Sequence, residues 1–467
     1  TGTISGSAVA NTASTGVITI PLMKKAGFQP KFAGGVEAAA STGGQLMPPI
    51  MGAGAFVMAS FTQIPYETIV AAAALPALLY FLSVAFFVRI EACRLNLPPL
   101  EAEGETLWTA LKKGGAPFIF PIALLITMLV MGFTPNYAAV YGIAAVIVSS
   151  WASANPMGPK AIFEALVMGA RSMVMTAVLL CAVGLVVNVI TTAGIGNVFS
   201  LQIATWAGGN LLIAIALVAL ASLVLGMGLP VTAAYIVLAT LSAPAIAGMI
   251  ADREVIAAIA EGALPQQAQA IFMLGAPEAL PRLAAPMPLD EARALVASLP
   301  IEVAQPLRDM VVSPEAATVA LLSAHMIIFW LSQDSNVTPP VALAAFTAAA
   351  IAKAPAMATG VASWKLAKGL YIVPVLFAYT PFLSGDVGAA LWVFGFGVVG
   401  IYGLSAALAG AMEGPIGWLA RIAAGLAGTA ALWPDLLAAN IAGAVVVLGL
   451  LAWSVRTAPA PAPARAP

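Results

Sequence analysis

Charge is scarce in this sequence: 8% of its 467 residues are Asp, Glu, Lys or Arg, against about a quarter in an ordinary soluble chain. Water therefore cannot be its main solvent. The formal net charge of −1 leaves no broad basic face, which excludes nucleic acid as a partner. Cys93 and Cys181 are the only cysteines, one near the end of an apolar run and one inside another, a placement that suits neither a disulfide framework nor a metal cluster. His325 is the only histidine and is read as a hydrogen-bonded packing residue rather than a proton relay. With acids and histidine scattered singly, there is no cluster from which a membrane-embedded enzyme would be built. The chain opens at Thr1 on a polar, Gly-rich stretch without a charged n-region or a cleavage site. It is read as a C-terminal fragment whose earlier helices or small permease portion lie elsewhere.

What is abundant is apolar surface: 61% of residues are hydrophobic and the mean hydropathy is +1.00. A spanning helix needs about 20 largely apolar residues, and about ten spanning or half-spanning elements can be drawn, giving an all-α polytopic membrane protein. The segment from Phe32 to Thr62 is broken at Gly43-Gly44 and Pro48-Pro49. Further runs follow at Thr68 to Ile90, Pro117 to Phe133, Tyr137 to Trp151 and Met173 to Ile190. The apolar stretch from Asn210 to Met249 is interrupted by Gly226-Met227-Gly228-Leu229-Pro230, where proline and clustered glycine permit reversal. It reads as a re-entrant hairpin. Residues 251–316 carry nine acids, four arginines and frequent prolines, the composition of an extramembrane insert. Apolar character resumes at Thr318, breaks at Asn336-Val337-Thr338-Pro339-Pro340 and continues to Val455. The resulting division is 1–91 (hairpin tip, broken helix and span), 92–209 (loop and spans), 210–249 (second hairpin), 250–316 (acidic insert), 317–369 (second broken helix and loop), 370–456 (C-terminal spans) and 457–467 (an Ala/Pro tail expected to be disordered).

Lys and Arg gather on cytoplasmic loops, and one orientation places every basic cluster on one side. Lys24, Lys25 and Lys31, then Arg94, Lys112 and Lys113, then Lys160 and Arg171, then Lys353, Lys365 and Lys368, and finally Arg456 and Arg465 all fall inside. This holds only if residues 210–249 enter and leave from the outside, so charge bias supports the hairpin independently. Thr1 to Asn11 then reads as the tip of an oppositely oriented hairpin. Aligning Pro48-Pro49 with Pro339-Pro340 also aligns Ser41 with Ser332, Gln45 with Asn336, and Phe56 with the neighbourhood of Phe346. Interrupted helices at matching positions of inverted repeats point to a secondary transporter with a midplane site.

Unwound backbone frees carbonyls and exposes helix N-termini, so the candidate site lies at polar tips. These are Ser5, Gly6, Ser7, Asn11 and Thr12; Ser41, Thr42, Gly43, Gly44 and Gln45; Gly226, Gly228 and Thr232; and Ser335, Asn336 and Thr338. Hydroxyls, amides and glycine carbonyls serve a carboxylate as well as a sodium ion, with no further cofactor. Such residues also let membrane helices pack closely. Glu37 and Asp334 are intramembrane carboxylates, suited to a coupling proton or cation.

The string GTISGSAVANTASTG, continuing through IPLMKKAGF and VEAAASTGGQLMPPIMGAGAF, resembles the large membrane subunit of tripartite ATP-independent periplasmic (TRAP) transporters, specifically the TAXI type with fused permease subunits. So do LGMGLPVTAAYIVLATLSAPA, the stretch from His325 to TPPVALAAF, and YIVPVLFAYTPFL. The resemblance implies a bacterial inner-membrane elevator. In it a mobile domain carries the hairpins, a periplasmic solute-binding protein feeds it, and a sodium or proton gradient drives uptake of carboxylates such as dicarboxylates. The insert at 251–316 departs from that pattern. An elevator anion/sodium symporter that needs no binding protein shares the same hairpin logic and stays open.

Overall fold

The computed structural model describes residues 2–98, 109, 115–153, 156–275, 277–283, 285–434 and 436–458. Thr1, Lys112, Lys113 and the tail with Arg465 lie outside the described residues. Among the described residues the chain is helical, with no strand beyond an isolated bridge between Ala411 and Pro415. Seven helical segments there are long and apolar enough to cross a membrane, the longest running from Pro159 to Thr192.

A short turn, α1 (Gly2–Ser5), leads into α2 (Ala8–Lys25), where the Ser7 hydroxyl caps the Ala10 amide. Helix α3 (Pro30–Gly44) starts on proline, which tolerates a first-turn position because no intrahelical donor is needed there. It ends at the glycine pair, and α4 (Gly54–Thr62) resumes after Pro48-Pro49. The same anatomy recurs in α15 (Pro314–Leu331), a 3₁₀ turn over Asp334–Asn336, and α16 (Leu343–Ala352) after Pro339-Pro340. Both Pro–Pro bonds are cis. Met51 at φ +56° and Ala342 at φ +42° occupy the left-handed region at equivalent places, each just beyond its proline pair. Gln63 and Lys353 close α4 and α16 in that region too.

Between the breaks run α5 (Tyr66–Arg94), the paired α6 (Ala116–Val130) and α7 (Pro135–Ser150), α8 (Pro159–Thr192) and α9 (Ile195–Ala207). Arg171 lies inside α8 rather than in a loop, because the polar stretch before Met173 continues the helix. The hairpin arms are α10 (Leu211–Leu225) and α11 (Val231–Ala260), so the second arm outlasts its apolar run by eleven residues. That extension builds the insert: Val255 and Ile259 join Phe272, Leu283, Val296 and Leu307 in a separate hydrophobic core. Its other helices are α12 (Gln266–Gly275), α13 (Leu289–Ser298) and α14 (Ile301–Val311). The insert is therefore a packed helical unit.

After α16 come α17 (Ala356–Leu366) and α18 (Gly369–Tyr379), then α19 (Val387–Ala409), α20 (Trp418–Ala431) and α21 (Leu437–Thr457). Lys368, at the junction of α17 and α18, is buried rather than a loop charge. Its long stem lets Nζ donate to the Ser83 carbonyl at 3.1 Å and sit 4.8 Å from the Phe87 ring.

Helices α2, α3, α16 and α17 pack on one another around Ala33, Ala38, Ala344, Ala345 and Ala348. A Cβ added at Gly34 or Gly35 would meet α17 atoms at 2.9 Å, so small residues set that spacing. Hairpin α10–α11 packs on α15, and α5 packs on α19 beside α20 and α21. Segment ends that charge bias assigns to one side meet in space. Arg89 bonds Glu413 at 2.7 Å, and Lys31, Glu91, Arg94 and Lys365 share a cavity.

Candidate functional site

All four predicted polar clusters send members to one cavity. Gly6 and Ser7, Gln45, Gly226, Gly228 and Thr232, and Ser335 and Asn336 line one cavity of about 370 Å³. Each hairpin tip reaches it by lying against a helix break. The first tip is bound to the first break by Thr3, whose hydroxyl donates to the Met47 carbonyl at 2.6 Å and whose carbonyl accepts from Gly52 N at 3.3 Å. Gly6 at φ +63° and Gly52 at φ +62° face each other there, and a Cβ on Gly52 would stand 3.0 Å from Gly6 Cα. The second tip rests on the second break through Gly226, where a Cβ would meet Ser335 Cβ at 2.5 Å. Ser222, one turn earlier, donates to the Leu331 carbonyl at 2.9 Å and fastens α10 to α15.

The described residues lining this cavity include no acid, lysine, arginine or histidine. Its charge preference comes from backbone dipoles and neutral side chains. The N-terminal turns of α2 (Ala8, Val9) and α11 (Val231, Thr232) both open onto it, a pair of positive helix ends that favours a carboxylate. The C-terminal ends of α3 at Gln45 and of α10 at Gly226 bring carbonyls to the same space, which favours a hard cation. One cavity thus combines groups suited to an anion with groups suited to a cation.

A second cavity of about 340 Å³ is lined by Asn11, Ser41, Glu37 and Gly44 together with Thr15 and Thr19. Asn11 Nδ2 donates to Ser41 Oγ at 2.8 Å, and Ser41 donates to Glu37 Oε1 at 3.1 Å. Thr15 and Thr19 hydroxyls also donate to the Glu37 carboxylate. Glu37 is buried, and its carboxyl oxygens are met by these hydroxyl groups. Thr15 and Thr19 went unnoticed in the sequence, although their spacing of four on α2 puts both on the face turned toward Glu37.

The remaining candidates line neither cavity. Ser5 is exposed, and Thr12 is buried with its hydroxyl unpartnered among the described residues. Thr42 donates to the Ala38 carbonyl at 2.8 Å within α3, and Gly43 lies against the Tyr80 ring. Thr338 bonds the Tyr371 hydroxyl, a partner 33 residues away that no local pattern announces. Asp334 is buried at the start of the 3₁₀ turn, and its Oδ1 lacks a hydrogen-bond partner among the described residues. His325 Nδ1 pairs with the buried Tyr235 hydroxyl at 2.8 Å, the packing role expected of it. The described residues contain no group of three or more His, Cys, Asp or Glu arranged for a metal.

The family model described as "Tripartite ATP-independent periplasmic transporter, DctM component" matches residues 1–383. No curated protein and no solved structure matches the chain.

Proposed function

Since the chain belongs to the DctM family of tripartite ATP-independent periplasmic transporters, a family of membrane transporters and not of enzymes, we propose that it carries a small organic carboxylate inward by secondary active transport. The drive is a sodium or proton gradient. A periplasmic solute-binding protein delivers the anion, and a small permease portion, fused as in the TAXI type, completes the membrane complex in the bacterial inner membrane. The observation that carries this reading is the cavity at which both hairpin tips and both helix breaks converge, with helix N-termini and C-termini facing one space.

In this reading the carboxylate is held by the amides at the starts of α2 and α11 and by Ser7, Thr232 and Asn336. The cation is held by carbonyls and amide oxygens from the two breaks, with Gln45 beside it. Glu37 lies outside the substrate cavity, and its carboxyl with Thr15, Thr19 and Ser41 is suited to a coupling cation. The mobile unit of an elevator would be α2, α3, α16 and α17 with hairpin α10–α11 and α15, sliding against α5 and α19–α21. The tight alanine and glycine packing inside the first group supports its moving as one body.

The test is uptake by the reconstituted complex in proteoliposomes with its binding protein, imposing sodium and proton gradients separately. Accumulation driven by one of them is expected. Failure of both gradients, with binding protein loaded, would refute symport.

A further inference from the structure

Under the charge-bias orientation, a cavity of about 470 Å³ lies at the inner ends of four helices. Helices α3 and α17 contribute Lys31 and Lys365 to it, while α5 contributes Glu91 and Arg94 and α19 contributes Leu408. None of its lining residues belongs to the cavity at the hairpin tips.

The charges around this cavity do not cancel. Glu91 is the one acid among its described lining residues. Arg94 answers it, donating from Nε and Nη2 at 2.8 and 2.6 Å to the two carboxylate oxygens. Among the described residues no carboxylate lies within ion-pairing distance of Lys31 or Lys365, and both are exposed. Two ammonium groups therefore remain to act on whatever enters. A further cation is close by, since the buried Lys368 Nζ lies 4.8 Å from the ring of Phe87, which lines the same cavity.

The two lysines sit on helices in close contact. A Cβ on Gly34 would meet Thr359 Cγ2 at 2.9 Å, and one on Gly35 would meet the Ser363 amide nitrogen at 2.9 Å. Each of those contacts is within a turn of a lysine, so the separation of the two charges is set by packed backbone. Much of the remaining wall is apolar. Phe32 and Phe87 stack with ring centroids 6.3 Å apart, and Val361 and Leu408 are 38% and 42% exposed. A small soluble anion has no use for such a wall. A lipid has a phosphate for the lysines and an acyl chain for the apolar edge. Ammonium groups serve phosphate as point charges, and basic pockets between membrane helices at the cytoplasmic side take lipid headgroups.

We propose that this cavity binds the phosphate headgroup of an anionic lipid of the inner leaflet. Its binding chemistry stands apart from the transport reading above, whereas its consequence for uptake rests on that reading. There α3 and α17 belong to the sliding unit, and α5 and α19 to the part it slides against. A lipid seated between them bears on the rate of sliding and leaves the substrate cavity untouched.

The test uses the full permease complex in detergent with fluorescently labelled phosphatidylglycerol, its binding read by anisotropy. K31Q/K365Q is expected to weaken binding at least about tenfold, from the loss of two cations beside the phosphate. K31R/K365R is expected to keep the parent affinity, which separates charge from packing damage. K160Q/K353Q, which removes two exposed inner lysines that do not line the cavity, should keep it too. Unlabelled phosphatidylglycerol is expected to displace the probe at concentrations where phosphatidylcholine and inorganic phosphate do not. Equal binding by K31Q/K365Q and the parent, or an equal loss in K160Q/K353Q, overturns the site. Displacement by inorganic phosphate as effective as by phosphatidylglycerol overturns the lipid as its occupant. In proteoliposomes, the maximal uptake rate should change with phosphatidylglycerol content in the parent and not in K31Q/K365Q, with KM unaltered; equal lipid sensitivity in both overturns the consequence for uptake. Absence of gradient-driven uptake in every lipid composition would overturn the transport reading while leaving the binding results as predicted.

Discussion

Gly226→Ala isolates the contact that seats the second hairpin tip. Gly226 has ordinary helical backbone angles, φ −67° and ψ −10°, so alanine carries no conformational penalty there. What the new methyl meets is Ser335, with Cβ at 2.5 Å and Oγ at 2.6 Å, and the Ser222 carbonyl at 3.0 Å. Neither neighbour can retreat freely, because Ser222 is tied to Leu331 and Ser335 is buried in the 3₁₀ turn. Overpacking of this kind costs about 1–3 kcal/mol. At about 1.4 kcal/mol per decade, that is a loss of roughly 5- to 150-fold in the population of the seated tip. Because the tip carries Gly228 and Thr232 to the cavity, KM for uptake is expected to rise by that factor. Gly228→Ala is the control, since Gly228 is exposed and a Cβ there meets nothing within 4 Å. Adding Ser335→Gly to Gly226→Ala should recover most of the affinity by removing the obstructing side chain. The assay is concentration-dependent uptake in proteoliposomes, with thermal melting as a check on folding. The reasoning is refuted if Gly226→Ala and Gly228→Ala behave alike, or if Ser335→Gly gives no recovery.

Other perturbations have equally definite outcomes. Glu37→Gln keeps the side-chain shape but fixes it neutral, so uphill accumulation should be lost while substrate exchange persists; unaltered accumulation would remove Glu37 from coupling. Arg308→Ala leaves the Asp252 carboxylate without its charged donors, at a cost of about 2–4 kcal/mol to the insert. Limited proteolysis should then cut within 250–316 sooner while the spans stay protected. Glu413 is held below the usual carboxylate range by its hydrogen bond to Arg89. Its contribution is therefore present above the unfolded-state value and lost as pH falls through the folded one. With Arg89 65% exposed, the worth is under about 1 kcal/mol. Glu413→Gln should accordingly lower melting slightly at neutral pH and not in acid.

Much of the architecture was legible because membrane helices are interrupted only by strong signals. Pro48-Pro49, Pro339-Pro340 and the Gly226–Pro230 cluster each mark a true break, since proline and glycine have few other uses within an apolar run. The hidden parts were those written in long-range geometry. Thr3 reaches the Met47 carbonyl, Thr338 reaches Tyr371, and Lys368 reaches the Ser83 carbonyl, and backbone acceptors leave no trace in sequence. The insert's core was obscured by its prolines, which here open helices α13, α14 and α15 instead of ending order. The extension of α11 past Met249 was missed because a polar, amphipathic helix ends the hydropathy signal without ending the helix. At the site, neutral lining groups were legible as types at helix ends, while the grouping of Glu37 with Thr15 and Thr19 apart from Asn336 was not.

The most direct test of the central claim is the concentration dependence of gradient-driven uptake in Asn336→Ala. Asn336 is buried, ends the 3₁₀ turn that leads into the second break and lines the cavity shared by both hairpin tips. Removing its amide should raise KM for the carboxylate or the coupling cation by about tenfold, the worth of one or two lost hydrogen bonds, with folding intact. Uptake kinetics and ion dependence identical to the parent would contradict the placement of transport at this cavity.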